Sequence, residues 1–268
     1  TLSSWLTLAK PLVAALVLVV LWVLEAAVPM FVGRTRRVGH GAWNLALGLI
    51  NIIVGALCFS SAMLLVTEWA RTHPFGLLHW IALPAWVEWP LGLTLFDAWM
   101  YAWHRLNHRV PLLWRFHAVH HSDRELDVTS AVRFHTGEIV LSSLARLAVL
   151  PLVGLTLPQL ALYEAVLLPV ILFHHSNVRV SARLDAAIRC AIVTPWMHWV
   201  HHSRWRPETD SNYGSVLSVW DRLCGSFRLR ERPSEIVLGL DDAETEPQWR
   251  TLPGMLSRPF RRVPKATR

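Results

Sequence analysis

Residues 45–66, LALGLINIIVGALCFSSAMLLV, form an apolar stretch that contains no charged side chain. A helix needs about 20 such residues to cross the hydrocarbon core of a bilayer. The composition agrees, since 53% of the 268 residues are hydrophobic and 17% are charged, against roughly 25% charged in an average soluble domain. The sequence therefore predicts an integral membrane protein and excludes a disordered, collagen-like or coiled-coil chain.

Further apolar stretches lie on both sides of this segment. Residues 11–32 precede it and are followed by three arginines within residues 34–37, a pattern that favours the cytoplasmic side. For residues 77–103 we predict a kinked or interfacial segment that enters the membrane and is followed by a third span. For residues 139–173 we predict two short helices in a hairpin. We predict an all-α polytopic membrane helical bundle of about three spans plus this hairpin, with a cytosolic helical cap that carries the histidines described below.

Three clusters hold eight of the 14 histidines. They read HRLNH at residues 104–108, HAVHH at 117–121 and HWVHH at 198–202. Residues three and four apart lie on one face of a helix, so each cluster would present two or three imidazoles together. Pro111 predicts a helix end after the first cluster, and Thr194-Pro195 predicts the start of a new helix that carries the last. This spacing is typical of a metal site.

The remaining histidines divide into candidate ligands and bystanders. His135, and the pair His174 and His175 at the end of the predicted hairpin, are further candidates. A catalytic ion typically takes three protein ligands, so the count predicts two ions. Imidazole suits iron, zinc, copper and nickel alike, which leaves the metal open. Three isolated histidines are predicted to be surface or satisfied core residues: His40, His73 and His79.

Acidic and amide side chains lie near the clusters in sequence. Asp97 lies seven residues before His104, two helical turns away on the same face, and an acid inside an apolar segment is costly unless it has a role. Asp210 and Asn212 follow the third cluster after a short loop. We predict that Asp97, Asp210 and Asn212 support the catalytic centre by hydrogen bonding to the ligand rings. The other polar residues near the clusters are Asp123, Asp127, Glu138 and Asp221.

The order of these motifs over residues 90–230 is that of a known family. Beside the three clusters the sequence contains FD at 96–97, RFH at 133–135, HSN at 175–177, DSNYG at 210–214 and WDRL at 220–223. Together they resemble the fatty acid hydroxylase/sterol desaturase superfamily. The resemblance implies an integral-membrane enzyme with a histidine-rich di-iron centre, which uses O2 and reducing equivalents to hydroxylate, oxidise or desaturate a lipid.

Carried over position by position, the resemblance implies ten metal ligands. Nine match the family pattern and His135 matches a further histidine of it: His104, His108, His117, His120, His121, His135, His175, His198, His201 and His202. The third region departs from members that have two histidines separated by three residues, because Arg179 stands at the second position. Either His174 replaces the missing ligand or the centre has one protein ligand fewer.

The resemblance also implies cofactors and partners. These are two iron ions, with zinc as a substitute, O2 as co-substrate, and a lipid that arrives from the bilayer. The sequence has no haem domain, dinucleotide fingerprint or cysteine cluster, so we expect a separate electron donor, a cytochrome, a ferredoxin or a reductase. A tunnel lined by residues such as Trp99, Trp103 and Phe173 could deliver the substrate. Length and arginine content favour a bacterial inner membrane, with the histidine clusters facing the cytoplasm.

We divide the chain into three parts. Residues 1–75 are N-terminal transmembrane helices, residues 76–230 are the hydroxylase-like catalytic domain, and residues 231–268 are a polar, basic C-terminal tail. The last eleven residues of this tail, which are basic and contain no acid, are expected to be flexible and to lie near anionic headgroups. The net charge of +7 would suggest nucleic acid in a soluble chain. Here the charges lie beside apolar stretches and indicate orientation, so no nucleic acid partner is expected. The oligomeric state stays open.

Two other functions are compatible with a histidine-rich membrane protein. One is nonenzymatic metal handling, which the position of the clusters in polar stretches disfavours, since transporter ligands lie near the midplane of spans. The other is a zinc hydrolase, which the lack of HExxH and of an adjacent general-base glutamate disfavours.

Overall fold

The computed structural model describes residues 2–34, 36–73, 75–241 and 247–261. Within these ranges the regular structure is helical, and strand pairing is limited to three isolated bridges. The predicted all-α bundle is confirmed. The α-helices are α1 (Leu2–Ala27), α2 (Arg37–Thr72), α3 (Ala85–Arg109), α4 (Pro111–His121), α5 (Thr136–Val153), α6 (Leu157–His175), α7 (Ala182–Ile188), α8 (Pro195–His201), α9 (Arg206–Thr209), α10 (Val219–Leu223) and α11 (Leu252–Ser257).

Four of these helices are long and apolar enough to cross a membrane, namely residues 9–27 of α1 and the whole of α2, α5 and α6. Many of their large apolar side chains point outward, and Leu57 on α2 is 82% exposed, as expected for a surface that lipid covers. The first span ends at Ala27, earlier than predicted, because Pro29 lies just beyond it.

The third span expected within residues 77–103 is not one of the four. These residues fall largely in α3, which contains Glu88, Pro90 and Asp97 and continues to Arg109. The charged residues lower the hydropathy of this helix. The hairpin helices α5 and α6 are instead the third and fourth helices of sufficient length and hydropathy.

The spans pack in pairs, α1 along α6 and α2 along α5. Glu25, near the end of α1, connects this helix to the polar part of the chain by hydrogen bonds and an ion pair. Its carboxylate accepts the backbone N–H of Val128 at 2.8 Å and that of Asn177 at 2.7 Å, and Arg37 lies 3.0 Å away. A single acid therefore joins the first span to two loops that adjoin the histidine clusters.

The described part of the predicted C-terminal tail is folded. Trp249 and Met255 are buried, and Met255 belongs to a core cluster with Leu47 of α2 and Val119 of α4. The Arg258 guanidinium lies 4.3 Å from the ring of Trp249. Residues 242–246 and 262–268, which carry the last basic residues of the expected flexible tail, lie outside the described residues.

Candidate metal centre

Nine of the ten predicted ligands come together in two neighbouring groups of imidazoles. In each group the ring nitrogens lie within 4.8 Å of one another. They are supplied by α3, α4, the end of α6, and α8 with the residue that follows it. Group one is His104, His108, His117, His121 and His201, and group two is His120, His175, His198 and His202.

Three rings of group one are oriented by acceptors at Nδ1. The Nδ1 of His104 lies 2.9 Å from the carbonyl of Tyr213, and that of His201 lies 2.6 Å from the carbonyl of Ser211. The Nδ1 of His117 lies 2.8 Å from the carboxylate of Glu138. An acceptor at Nδ1 fixes the proton on that nitrogen and leaves Nε2 with a free lone pair, which is how proteins prepare histidine for a metal.

The rings of group two approach one another through Nε2. The Nε2 of His175 lies 3.2 Å from that of His120 and 2.9 Å from that of His198, which in turn lies 3.1 Å from that of His202. His175 also directs Nδ1 to the carbonyl of Ile171 at 2.7 Å. Ring nitrogens about 3 Å apart have the spacing of ligands that bind one ion, each at a metal–nitrogen distance of roughly 2.1 Å.

Burial disfavours the charged form of eight of these imidazoles. It lowers the pKa of His201 to about 3, and together with the neighbouring rings it lowers the pKa of His108, His121 and His202 well below the usual value. A neutral imidazole is the form that binds a metal. These eight rings would therefore be ready to bind at neutral pH without first losing a proton.

Unpartnered ring nitrogens show that the residues fit a metal. The Nε2 atoms of His104, His108 and His201 are buried and make no hydrogen bond within the described chain. Such groups are rare in folded proteins, and an ion is one of the ordinary explanations. An all-imidazole donor set suits a transition metal and not calcium or magnesium, which prefer oxygen.

Two further candidate histidines lie outside both groups. His135 is the N-cap of α5, where its Nδ1 accepts the N–H of Gly137 at 2.8 Å and its Nε2 lies 3.1 Å from the carbonyl of Leu256. The prediction that His135 is a ligand is therefore not supported by its position, since both nitrogens are engaged elsewhere. His174 is buried with its ring 4.1 Å from that of His198 but belongs to neither group. Group two thus has one protein ligand fewer than group one.

The predicted supporting residues have different outcomes. Asp210 lies 3.4 Å from the Nδ1 of His108, close to the ring but without a hydrogen bond to it. Asp97 instead accepts hydrogen bonds from Tyr163 at 2.7 Å and Trp220 at 2.8 Å, and from two backbone N–H groups. Its position on the same face as His104 was misleading, because the side chain turns to other elements.

The side chain of Asn212 forms hydrogen bonds to main-chain groups and none to a ligand ring. Asn212 has a positive φ of 51°, and its amide nitrogen donates to the carbonyls of Met197 and Arg228 while its oxygen accepts the N–H of Arg228. This conformation bends the chain between Ser211 and Tyr213, whose carbonyls orient two ligands. Asn212 therefore acts on the centre through the main chain.

The three bystander histidines have other roles. His40 lies between Asp123 and Asp127, 2.9 and 3.0 Å away, so both ring nitrogens are satisfied. His73 is exposed and stacks on Trp69. His79 lies against the turn that joins α5 to α6. None belongs to either group.

A cavity of about 170 Å³ adjoins both groups. Histidines of each group form part of its wall, and Met100, Trp103, Leu167 and Ile171 supply apolar surface. Of the three residues predicted to line a tunnel, Trp103 lines this cavity, whereas Trp99 and Phe173 pack in core clusters. The cavity therefore borders the metal candidates on one side and the helix pair α5 and α6 on the other.

Two supporting features escaped the sequence analysis. The carbonyls of Ser211 and Tyr213 leave no mark in the side-chain pattern, although the DSNYG motif marks their position. The ring of Phe134 stacks on His120 with centroids 4.4 Å apart, and the RFH motif that drew attention to His135 contains it. Glu138 was noted as a nearby polar residue without a partner, and its partner is His117.

The chain belongs to the fatty acid hydroxylase family, whose profile matches residues 89–226. This range contains every member of both histidine groups. The membership confirms the resemblance inferred from the motifs.

Characterised relatives act on several lipids. The chain is 36% identical over 160 residues to ornithine lipid hydroxylase of Rhizobium tropici, covering 57% of this chain and 47% of that one. It is 27% identical over 230 residues to human alkylglycerol monooxygenase, covering 83% of this chain and 46% of that one. It is also 27% identical over 183 residues to mouse cholesterol 25-hydroxylase, covering 61% of this chain and 58% of that one. The chain spans about half the length of these relatives. No solved structure matches it significantly.

Proposed function

We propose that the protein is a membrane-bound di-iron oxygenase that hydroxylates, oxidises or desaturates a lipid C–H bond with O2 and external electrons. The observation that carries this proposal is the pair of buried imidazole groups that border one cavity beside helices able to cross a membrane. The names of the relatives support the reaction class, since they are hydroxylases and monooxygenases of lipids.

Two iron ions would be held by the nine histidines of the two groups. When bound, they would supply the oxidising power that side chains lack. The chain's own contribution is to hold the rings. The acceptors of Glu138, Ser211 and Tyr213 fix three of them, and packing against Phe134 fixes a fourth. Burial limits the access of water to the centre.

The cavity would position the substrate. Trp103, Leu167 and Ile171 offer apolar surface for a lipid chain, and the spans around them place that surface within reach of the bilayer. Electrons would come from a separate cytochrome, ferredoxin or reductase. We propose a bacterial inner membrane as the location, with the histidine groups on the cytoplasmic side.

Metal analysis of protein purified without chelator tests this proposal. We expect about two ions per chain, with iron as the metal that supports O2-dependent formation of a hydroxylated, oxidised or desaturated lipid. About one ion or none would contradict a two-metal centre. Zinc alone would need replacement by iron before the lipid assay, because zinc binds more tightly than Fe(II) to such sites.

The same experiment separates the oxygenase from a metal-handling protein. If two ions are bound but iron-loaded protein, supplied with an electron donor and bilayer lipids, forms neither an oxygenated nor a desaturated lipid, storage or transfer of metal becomes the better explanation. Lipid profiles of cells with and without the protein then identify the substrate.

A further inference from the structure

Three charged side chains meet where α1, α5 and α6 pack together inside the predicted spans. Glu164 of α6 accepts from Lys10 of α1 at 2.6 Å through one oxygen, and Arg146 of α5 lies 3.5 Å from the other. Charged side chains within a membrane are costly and usually serve a function. The hydrogen bonds and ion pair of Glu25 account for its charge. Arg146 contacts Glu164, Met100 and the ring of Phe96, and its Nε has no hydrogen-bond partner.

The hydrogen bonding of Arg146 is incomplete. A guanidinium has five N–H donors. In Arg146, Nη1 faces Glu164 at the upper limit of a hydrogen bond, Nη2 faces the sulfur of Met100 at 3.6 Å, and Nε is buried without a partner. Glu164 accepts from Lys10 at 2.6 Å through one oxygen and from Arg146 at 3.5 Å through the other, so its contact with Arg146 is the weaker of the two.

Arg146 also lines the cavity that borders both histidine groups. Along α5 it lies eight residues after Glu138, which binds His117. At 1.5 Å per residue this is about 12 Å along the helix axis. The guanidinium therefore brings a positive charge and an unpartnered donor to a cavity wall that also contains apolar side chains, histidines and Glu138.

We propose that Arg146 is a specificity-determining residue that binds an anionic oxygen of the lipid substrate, and so selects the carbon that reaches the metals. This inference rests on the proposed function for the identity of the cavity as a lipid site. The two cations and one acid of the cluster favour an anion over a neutral group. A planar guanidinium matches a carboxylate or a phosphate, and the experiment below distinguishes them.

Binding to the metal-free, detergent-solubilised full chain tests the proposal without requiring turnover. The probes are radiolabelled oleate, dioleoyl phosphatidic acid and oleyl alcohol, which carry a carboxylate, a phosphate and a neutral hydroxyl. We expect one of the anionic probes to bind at least about tenfold more tightly than oleyl alcohol, the strength of a charge-assisted hydrogen bond. Arg146→Met should abolish that preference, and Arg146→Lys should retain part of it.

Glu164→Gln is the matched control, because it breaks the same charged cluster but keeps the guanidinium. Its preference for the anionic probe should be unchanged or larger.

Equal binding of oleyl alcohol and both anions by the wild type, or an undiminished preference in Arg146→Met, would overturn the proposal. If Arg146→Met does not insert or fold, the binding preferences of Arg146→Lys and Glu164→Gln are compared instead. An equal loss of the preference for the anionic probe in both variants would indicate that Arg146 only forms a structural ion pair, and would overturn the proposal. Failure of the proposed function would instead appear as the absence of both oxygenated and desaturated lipid with the iron-loaded wild type.

Discussion

At the residue scale, the two histidine groups are fixed by different means. His104 and His201 are oriented by main-chain carbonyls, and His117 by the carboxylate of Glu138. The rings of His120, His198 and His202 have buried Nδ1 atoms without hydrogen-bond partners in the described chain. Group one therefore depends on hydrogen bonds more than group two does.

His201→Ala should lower the metal content from about two ions per chain to about one, because it removes a ligand from group one and leaves group two intact. Elemental analysis of the purified variant measures this directly. His73→Ala is the control, since its ring is exposed and belongs to neither group. A metal content that stays at two in His201→Ala would exclude His201 as a required ligand.

Glu138→Ala should weaken metal binding by about 10- to 100-fold, the usual cost of removing an acceptor that orients a ligand histidine. Competition with a chelator measures the affinity. Glu88→Ala removes a carboxylate that bonds Gln159 and contacts no ligand, so its metal affinity should match the wild type. Equal affinities in all three proteins would show that Glu138 does not support His117.

At the scale of the elements, Asp97 joins α3 to α6 and to residues 216–220. Asp97→Ala leaves several buried donors unsatisfied, which costs about 1–3 kcal/mol for each group. We expect a clear drop in the thermal unfolding midpoint in detergent, while molecules that remain folded keep their metal. Glu235→Ala, at an exposed ion pair, should change stability by less than about 0.5 kcal/mol. A normal midpoint combined with lost metal would instead restore Asp97 to a role at the centre.

Gly48 of helix α2 lies against Val132 in the segment before α5. A Cβ atom there would lie 2.9 Å from the side chain of Val132, whereas a Cβ atom at Gly55 meets nothing within 4 Å. Gly48→Ala should therefore destabilise the protein by about 1–3 kcal/mol, and Gly55→Ala should be close to neutral. Thermal unfolding of both variants in the same detergent checks the difference, and equal midpoints would refute the close contact.

At the scale of the whole molecule, metal should stabilise the folded chain. Ligands from α3, α4, α6 and α8 meet at the two groups, so an ion there links elements that are distant in sequence. At 100 times the dissociation constant, binding adds about 2.7 kcal/mol. Chelation should lower the unfolding midpoint and Fe(II) should restore it. The double variant His120→Ala, His201→Ala should respond to neither, and a wild type that is equally indifferent would contradict the prediction.

The sequence predicted those parts that follow from local pattern. The spacing of the three clusters indicated eight of the nine rings that converge, the family resemblance added His175, and the apolar stretches predicted a helical bundle. The partners of Asp97 could not be predicted, because helical spacing gives the face of a residue and not the side chains that other elements bring to it. His135 matched a motif, but an N-cap position and a C-terminal segment determined its contacts. Helix α3 has the length of a span, but its charged side chains lower its hydropathy, so it is not among the four helices apolar enough to cross a membrane.

The carbonyls that hold His104 and His201 belong to the backbone, and this limits what mutagenesis can detect. An alanine scan replaces side chains only, so Ser211→Ala and Tyr213→Ala leave both carbonyl oxygens in place. Such a scan would miss these two supports of the centre. An ester in place of the peptide bond that follows either residue would weaken the carbonyl as an acceptor, and that chemical change is the one to which the ring orientation is sensitive.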